Sequence, residues 1–408
     1  MKYIITASSA DVELPVGISD FHARYLDLID GVVADLSSEE VEEFRAKGLD
    51  VEEEGEYFIP EPMAPVMTSA TSVYPTDELD PITPGPMEMM QKTGVERLLV
   101  DGVSGKGAHI GFVDTGVDES HPDISGRMLN FRDFSGEGSS VPVDPNGHGT
   151  ACVGFACGKG NIVAKFHGVA PDANYSMARV MDSNGRGRES NIILGLQWLD
   201  EIGCDIINVS LGSVMKRYSP LSAACDNLAR KGRIVVIAAG NDGPDTLRAP
   251  ANTYGAIVVA ACNEKGEHSD FSSIGPAIGM EREEMEKPDV TAWGENCCLC
   301  RSAGTSMGTA IHDNYVAADG TSFATPFVAG LAALYKEVKG SLSNFQADIE
   351  MHCIENEGYS CKQEGMGVAT IDFIRRESLE NPPVAPLPDP FSAGCLMSGI
   401  NFIARMFR

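Results

Sequence analysis

Five short apolar runs rich in valine, isoleucine and alanine, at 108–113, 175–180, 205–209, 234–239 and 256–261, are separated by stretches with helical periodicity. Each run is too short for an ordinary helix, and strands buried on both faces read as continuous apolar runs rather than alternating ones. Strands that alternate with helices form a parallel sheet with helices packed on its faces. The chain from about residue 94 to 376 is therefore expected to be α/β, with its chemistry gathered at the carboxyl ends of the strands.

The flanks read differently. Residues 1–59 combine a short strand pattern, a helical segment from Ser37 and Ser38 through Glu39, Glu40 and Phe44, and an acidic strand-like end, which makes a small α+β domain; serine followed by glutamate is a helix N-cap signal. Residues 60–93 carry prolines at 60, 62, 65, 75, 81, 84 and 86 and read as an exposed connector that a protease could cut. Residues 377–408 read as a second proline-rich linker and a loose tail.

Charge narrows the partners. With 59 acidic against 31 basic residues among 408, the formal charge of −28 repels nucleic acid and anionic membranes. No apolar run approaches the roughly 20 residues that cross a bilayer, and Met1 to Thr6 lacks a signal peptide's apolar stretch, so a cytoplasmic location is expected ahead of a secreted one. The 11 cysteines include Cys204, Cys225 and Cys262 in apolar runs, where buried free thiols are expected. Cys297, Cys298 and Cys300 cluster without a second Cys-x-x-Cys pair, so no zinc site is expected.

Four places carry candidate chemistry. The strand at 110–113 runs into Asp114-Thr115-Gly116, which by itself suits a buried capping aspartate or half of an aspartic-peptidase dyad. A dyad needs a second copy, and no other Asp-Thr-Gly or Asp-Ser-Gly occurs. His148 stands between Gly147 and Gly149 at a helix start, where its ring is expected to lie open to a neighbouring hydroxyl. Ser322 precedes a long apolar helical pattern in which Pro326 is expected in the first turn; there it is either an N-cap or a nucleophile beside unpaired N–H groups. Gly304-Thr305-Ser306 repeats the Gly-Thr-Ser start without that helix, so Ser306 is expected in a loop. Asn241 ends the strand at 234–239 and either closes a turn or donates to an oxyanion.

Taken in order, Asp114-Thr115-Gly116, Gly147-His148-Gly149-Thr150, Gly240-Asn241 and Gly320-Thr321-Ser322-Phe323-Ala324-Thr325-Pro326 resemble the subtilisin-like serine peptidases, whose catalytic residues run Asp, His, Ser along the chain. Gly168-Val169-Ala170-Pro171, Ile207 to Gly212, Phe271-Ser272-Ser273 and Lys287-Pro288-Asp289-Val290 resemble further family signatures. The resemblance implies a serine endopeptidase acting through an acyl-enzyme, with Asp114, His148 and Ser322 as triad and Asn241 in the oxyanion hole. It implies that Ser210, Leu211 and Gly212 pair with the substrate backbone and that Ala238, Ala239 and Gly240 wall a specificity pocket. It implies that residues 1–59 are an inhibitory, chaperoning propeptide, removed by a first cut between about Phe58 and Met67. Protein and peptide substrates, a monomer, no organic cofactor and a structural calcium at Asp123 and Asn161 belong to the same expectation. Two features stand apart: Ala151 replaces a usual histidine, and Cys152 sits as in the proteinase K branch, which predicts sensitivity to mercurials. The competing class is a binding protein on a silent subtilisin fold.

Overall fold

The computed structural model describes residues 1–7, 24–59 and 87–374. The sequence expectations for 8–23, most of the connector and the C-terminal tail lie outside the described residues.

An N-terminal antiparallel sheet has the order β2-β3-β1-β4, from β1 Lys2–Ala7, β2 Arg24–Leu26, β3 Gly31–Asp35 and β4 Leu49–Glu53. Helix α1, Ser38–Ala46, starts where expected: Ser37 accepts from the Glu40 N–H, and the Glu40 carboxylate accepts from the Ser37 N–H at 2.7 Å. Alternation along the strands buries both faces. Ile5, Val32 and Val51 meet Val41 and Phe44 of α1, whereas Ile4, Leu26 and Val33 join the apolar cluster that contains Leu196 and Leu228 of the larger unit. A last strand, β5 Glu56–Phe58, leaves this sheet and pairs elsewhere.

Residues 87–92 correct the expected connector. They form α2 (Met87–Lys92), followed by α3 (Val95–Val100), and Met89 and Met90 lie fully buried in the main core. Proline upstream hid a helix that buries Met89 and Met90 completely.

The main sheet is wholly parallel and has the order β15-β12-β11-β10-β6-β8-β7. Its strands are β6 His109–Asp114, β7 Met128–Asp133, β8 Asn174–Arg179, β10 Ile206–Val209, β11 Ile234–Ala238, β12 Ile257–Cys262 and β15 Val290–Trp293. Each of the five apolar runs became a strand, with ends within one residue of those expected. Helices α4 His148–Cys157, α5 Glu189–Glu201, α6 Pro220–Arg230 and α7 Thr321–Lys339 flank it, and the short β9, Arg186–Arg188, precedes α5. A small antiparallel sheet, β16 Cys297–Cys300 with β17 Thr309–His312 and β18 Tyr315–Ala318, leads into α7, while β13 Ala277–Ile278 and β14 Glu284–Met285 form a two-residue ribbon and α8 Phe345–Met351 and α9 Cys361–Glu364 close the domain. Helix α7 is apolar all round and nearly every residue of it is buried, as a helix through the centre of a core must be. No described helix is long and apolar enough to cross a membrane.

Candidate active site

Parallel pairing of β6 with β10 and β8 puts Asp114 at a strand's carboxyl end, beside the start of α4. The approach is close: a Cβ on Gly149 would lie 2.1 Å from the Gly116 carbonyl oxygen, so only glycine fits. His148, the first residue of α4, brings Nδ1 to 2.8 Å from Asp114 Oδ1. Both side chains are buried. The expectation of an open imidazole is thereby corrected, since the Phe323 ring lies 5.7 Å from it. His148 Nε2 has no hydrogen-bond partner among the described residues.

Asp144, which sequence reasoning missed, holds this corner. Its carboxylate accepts from the Thr115 hydroxyl (2.8 Å), the Gly147 N–H (2.8 Å), and both the N–H and hydroxyl of Thr150 (2.8 and 2.6 Å). Three of these donors belong to the first residues around the α4 N-terminus, where unpaired N–H groups need acceptors. The only sequence signal is its place in Asp144-Pro145-Asn146-Gly147, a turn before a helix.

Ser322 is the second residue of α7, whose N-cap is Gly320. Pro326 therefore lies inside the helix, beyond the expected first turn. Without an N–H, Pro326 cannot bond the carbonyl four residues back, which is that of Ser322. The Ser210 hydroxyl donates to that carbonyl instead at 2.8 Å, and the Cys152 thiol donates at 3.4 Å. Cys152 Sγ also lies 3.8 Å from His148 Nδ1, so the one thiol touches both the histidine and the serine's backbone. Burial raises the Cys152 thiol well above its usual range, keeping it protonated. The Ser322 hydroxyl donates to the Ser210 carbonyl at 3.4 Å.

Asn241 follows β11. Its side-chain oxygen accepts from the N–H and the hydroxyl of Thr321, both at 2.9 Å. That fixes the amide's orientation and leaves the buried Nδ2 without a partner among the described residues. An unsatisfied buried donor is costly, and costs less when a ligand atom is to meet it.

A groove runs alongside. Gly212 exchanges two backbone bonds with Phe58, donating at 3.1 Å and accepting at 2.9 Å, and the Ile59 N–H donates to Gly185 at 2.8 Å. On its other edge β5 pairs antiparallel with β9. Residues 56–59 thus lie as a strand between 185–188 and the end of the Ser210-Leu211-Gly212 segment. Beside Phe58, a cavity is lined by Leu211, Gly212, Ala238, Ala239 and Gly240.

Calcium does not fit the residues expected to hold it. The buried Asp123 carboxylate accepts the N–H groups of Asn161 (2.7 Å) and Ile162 (3.3 Å) and the Tyr315 hydroxyl, and the Asn161 amide nitrogen donates to the Pro122 carbonyl at 2.8 Å. Donors therefore face Asp123 where a hard cation needs six to eight oxygens. His121 and Cys300 lie near it, but both His121 ring nitrogens are engaged, by the Asp123 N–H and the Asn314 carbonyl. The cysteines of the described residues are free thiols, and Cys297, Cys298 and Cys300 form no metal cluster with one another. Ser306 lies exposed in a loop, as expected.

A profile of the subtilase family matches residues 105–365. The chain is similar to thermitase of Thermoactinomyces vulgaris, 35% identical over 250 residues that cover 61% of this chain and 82% of thermitase. It is 34% identical to subtilisin BL of Lederbergia lenta over 250 residues, 60% of this chain and 82% of the relative. Serine protease AprX of Bacillus subtilis (strain 168) is 34% identical over 259 residues, and there the match spans 57% of each chain. The match falls on the unit that contains the parallel sheet, Asp114, His148 and Ser322, and the chain accordingly belongs to the subtilase family, the serine-type endopeptidases.

Proposed function

We propose that the chain is made as a self-inhibited precursor and cleaves peptide bonds through an acyl-enzyme. Ser322 attacks the carbonyl carbon, and His148 Nε2 takes the hydroxyl proton and returns it to the leaving amine. Asp114 holds the imidazole with Nδ1–H inward and stabilises the imidazolium. The charge that develops on the carbonyl oxygen meets Asn241 Nδ2 and the Ser322 N–H, which as an early helical N–H has no intrahelical partner. Water then repeats the sequence on the ester.

The observation that carries this reading is the occupied groove. Residues 56–59 make the backbone bonds of an added strand, the way an extended peptide adds to a sheet edge. Two groups without a partner among the described residues, His148 Nε2 and Asn241 Nδ2, are free to meet a hydroxyl and an oxyanion. A further contact favours a folding role for the N-terminal domain: the buried Glu54 carboxylate accepts from the N–H and hydroxyl of Ser190 in the first turn of α5.

Mass spectrometry of wild type and Ser322→Ala after incubation tests it. Wild type should yield a product beginning between residues 60 and 86, since α2 belongs to the core, and the variant should stay intact and leave casein uncut. Processing or casein cleavage by Ser322→Ala at wild-type rates would overturn the assignment.

A further inference from the structure

Tyr57 is fully buried although it lies on a short strand in a groove, and its hydroxyl is what the surroundings address. The hydroxyl donates to Glu189 Oε1 at 3.0 Å and lies 2.9 Å from Ser219 Oγ. Glu189, the first residue of α5, is itself fully buried and is not part of the triad. Its other bonds come from backbone: the Leu221 N–H to Oε1 at 3.0 Å and the Gly55 N–H to Oε2 at 3.1 Å. Ser219 is tied in turn to the start of α6, its hydroxyl accepting from the Ser222 N–H at 3.2 Å. No cation pairs with Glu189 among the described residues.

A buried carboxylate with no counter-cation is an expensive thing to keep. Burial pushes the Tyr57 phenol well above its usual range, so it stays a neutral donor, and burial pushes the Glu189 carboxyl up against the Leu221 and Gly55 N–H groups and the Tyr57 hydroxyl, whose hydrogen bonds favour its acceptor form. A pocket meant only to hold an apolar side chain needs neither group. Two backbone donors satisfy part of Glu189, and the remaining acceptor capacity, with Ser219 opposite, is matched by a phenol hydroxyl at the end of an aromatic ring.

We propose that Glu189 and Ser219 form a tyrosine-reading subsite, so that the enzyme prefers peptide substrates carrying tyrosine where Tyr57 lies, one residue ahead of the residue that pairs with Gly212. The proposal rests on the peptidase reading and on the groove being the substrate's. A phenylalanine there fills the ring's space but leaves the carboxylate and the Ser219 hydroxyl one partner short, and a site built to bond a hydroxyl rejects the analogue that lacks it more strongly than an apolar pocket rejects a size change. Lysine or arginine could offer charge to Glu189 but would not fill an aromatic slot.

The test uses full-length protein that has been allowed to process. Cleavage sites are mapped by mass spectrometry in a proteome-derived peptide library, and kcat/KM is measured for two quenched peptides that carry Gly-Glu-Tyr-Phe-Ile-Pro-Glu-Pro, as in residues 55–62, or the same with phenylalanine for tyrosine. Tyrosine should exceed phenylalanine at one fixed position before the cut, by about ten- to a hundred-fold in kcat/KM, the range of a hydrogen bond to a charged group. Glu189→Gln, which keeps shape and a weaker acceptor, should cut that ratio several-fold. Ser219→Ala should lower it too, and serves if the first variant does not fold. Cleavage with tyrosine and phenylalanine ranked equally by wild type overturns this inference alone. A ratio unchanged in folded Glu189→Gln and Ser219→Ala does the same. No cleavage of any peptide by wild type overturns the peptidase reading and this one with it.

Discussion

The two ends of the Asn241 amide stand differently: its oxygen is held by Thr321, and its buried nitrogen has no partner among the described residues. Asn241→Ala should therefore lower kcat by about 10²–10³, the scale of an oxyanion donor in subtilisin, a relative, with KM little changed. Steady-state kinetics on a peptide substrate decides it, and a loss seen mainly in KM would move Asn241 out of the oxyanion hole. Cys152 gives a second prediction. Its thiol bridges the His148 ring and the Ser322 carbonyl, so a mercury ion on sulfur would displace both. Wild type should lose activity to a mercurial, whereas Cys152→Ser, whose hydroxyl can still donate to that carbonyl, should keep activity and resist it. Undiminished wild-type activity after stoichiometric mercury labelling would refute that placement. Asp114, His148, Ser322, Asn241 and Cys152 could be singled out in the sequence because each stands in a local motif. Glu189 and Asp144 were not, because what makes them matter lies elsewhere: Tyr57 is 132 positions from Glu189, and Asp144 shows only as a turn residue until α4 is seen above it.

Elements were readable where their burial was uniform. The central strands announced themselves as apolar runs, but β7, half-exposed at the sheet edge, mixes Asn130, Arg132 and Asp133 into its pattern, and β15 is only four residues long. Pro326 misled in the other direction, because α7 begins early enough to enclose it and the missing helical bond is replaced by Ser210 and Cys152. The junction of β18 and α7 carries a testable pH effect. Asp319, whose Oδ1 accepts the Asn296 N–H at 2.6 Å, is pushed by burial from its ordinary 3.8 to about 6. A raised carboxyl opposes folding once it ionises: below 3.8 both folded and unfolded forms are protonated, stability falls as pH rises towards 6, and the cost is constant above. Partial solvent access reduces that cost to the order of 1 kcal/mol. In a Ser322→Ala background, Asp319→Asn should raise Tm by roughly 1–3 °C at pH 8 and leave it unchanged at pH 3. Equal shifts at both pH values would mean that the carboxyl's ionisation is not the cause. The Asp123 corner allows a parallel check. Asp123→Asn should lower Tm by the same amount in calcium as in chelator, because protein donors rather than an ion face it. A loss confined to calcium buffer would restore the metal.

Across the whole molecule, the N-terminal domain and the catalytic unit complete each other's surfaces. One face of the β1–β4 sheet sends Ile4, Leu26 and Val33 into the cluster that holds Leu196 and Leu228, Glu54 satisfies the start of α5, Glu52 pairs with Arg217, and β5 fills the groove. Removing residues 1–59 leaves apolar surface on α5 and α6, an uncapped helix and a Glu189 carboxylate stripped of its Gly55 and Tyr57 donors. Those helices flank the parallel sheet, whose crossovers are non-local contacts that form slowly. The contacts with residues 1–59 should therefore stabilise the folding transition state more than the finished fold. Refolding of a 60–408 chain bearing Ser322→Ala should be slower than that of the full-length Ser322→Ala chain by at least tenfold, and a separate 1–59 polypeptide added in excess should restore much of the rate. The regain of native ellipticity and tryptophan fluorescence after dilution from denaturant measures both. Equal refolding rates with and without residues 1–59 would leave the N-terminal domain as a unit that fills the groove through β5 and takes no part in building the sheet and helices behind it.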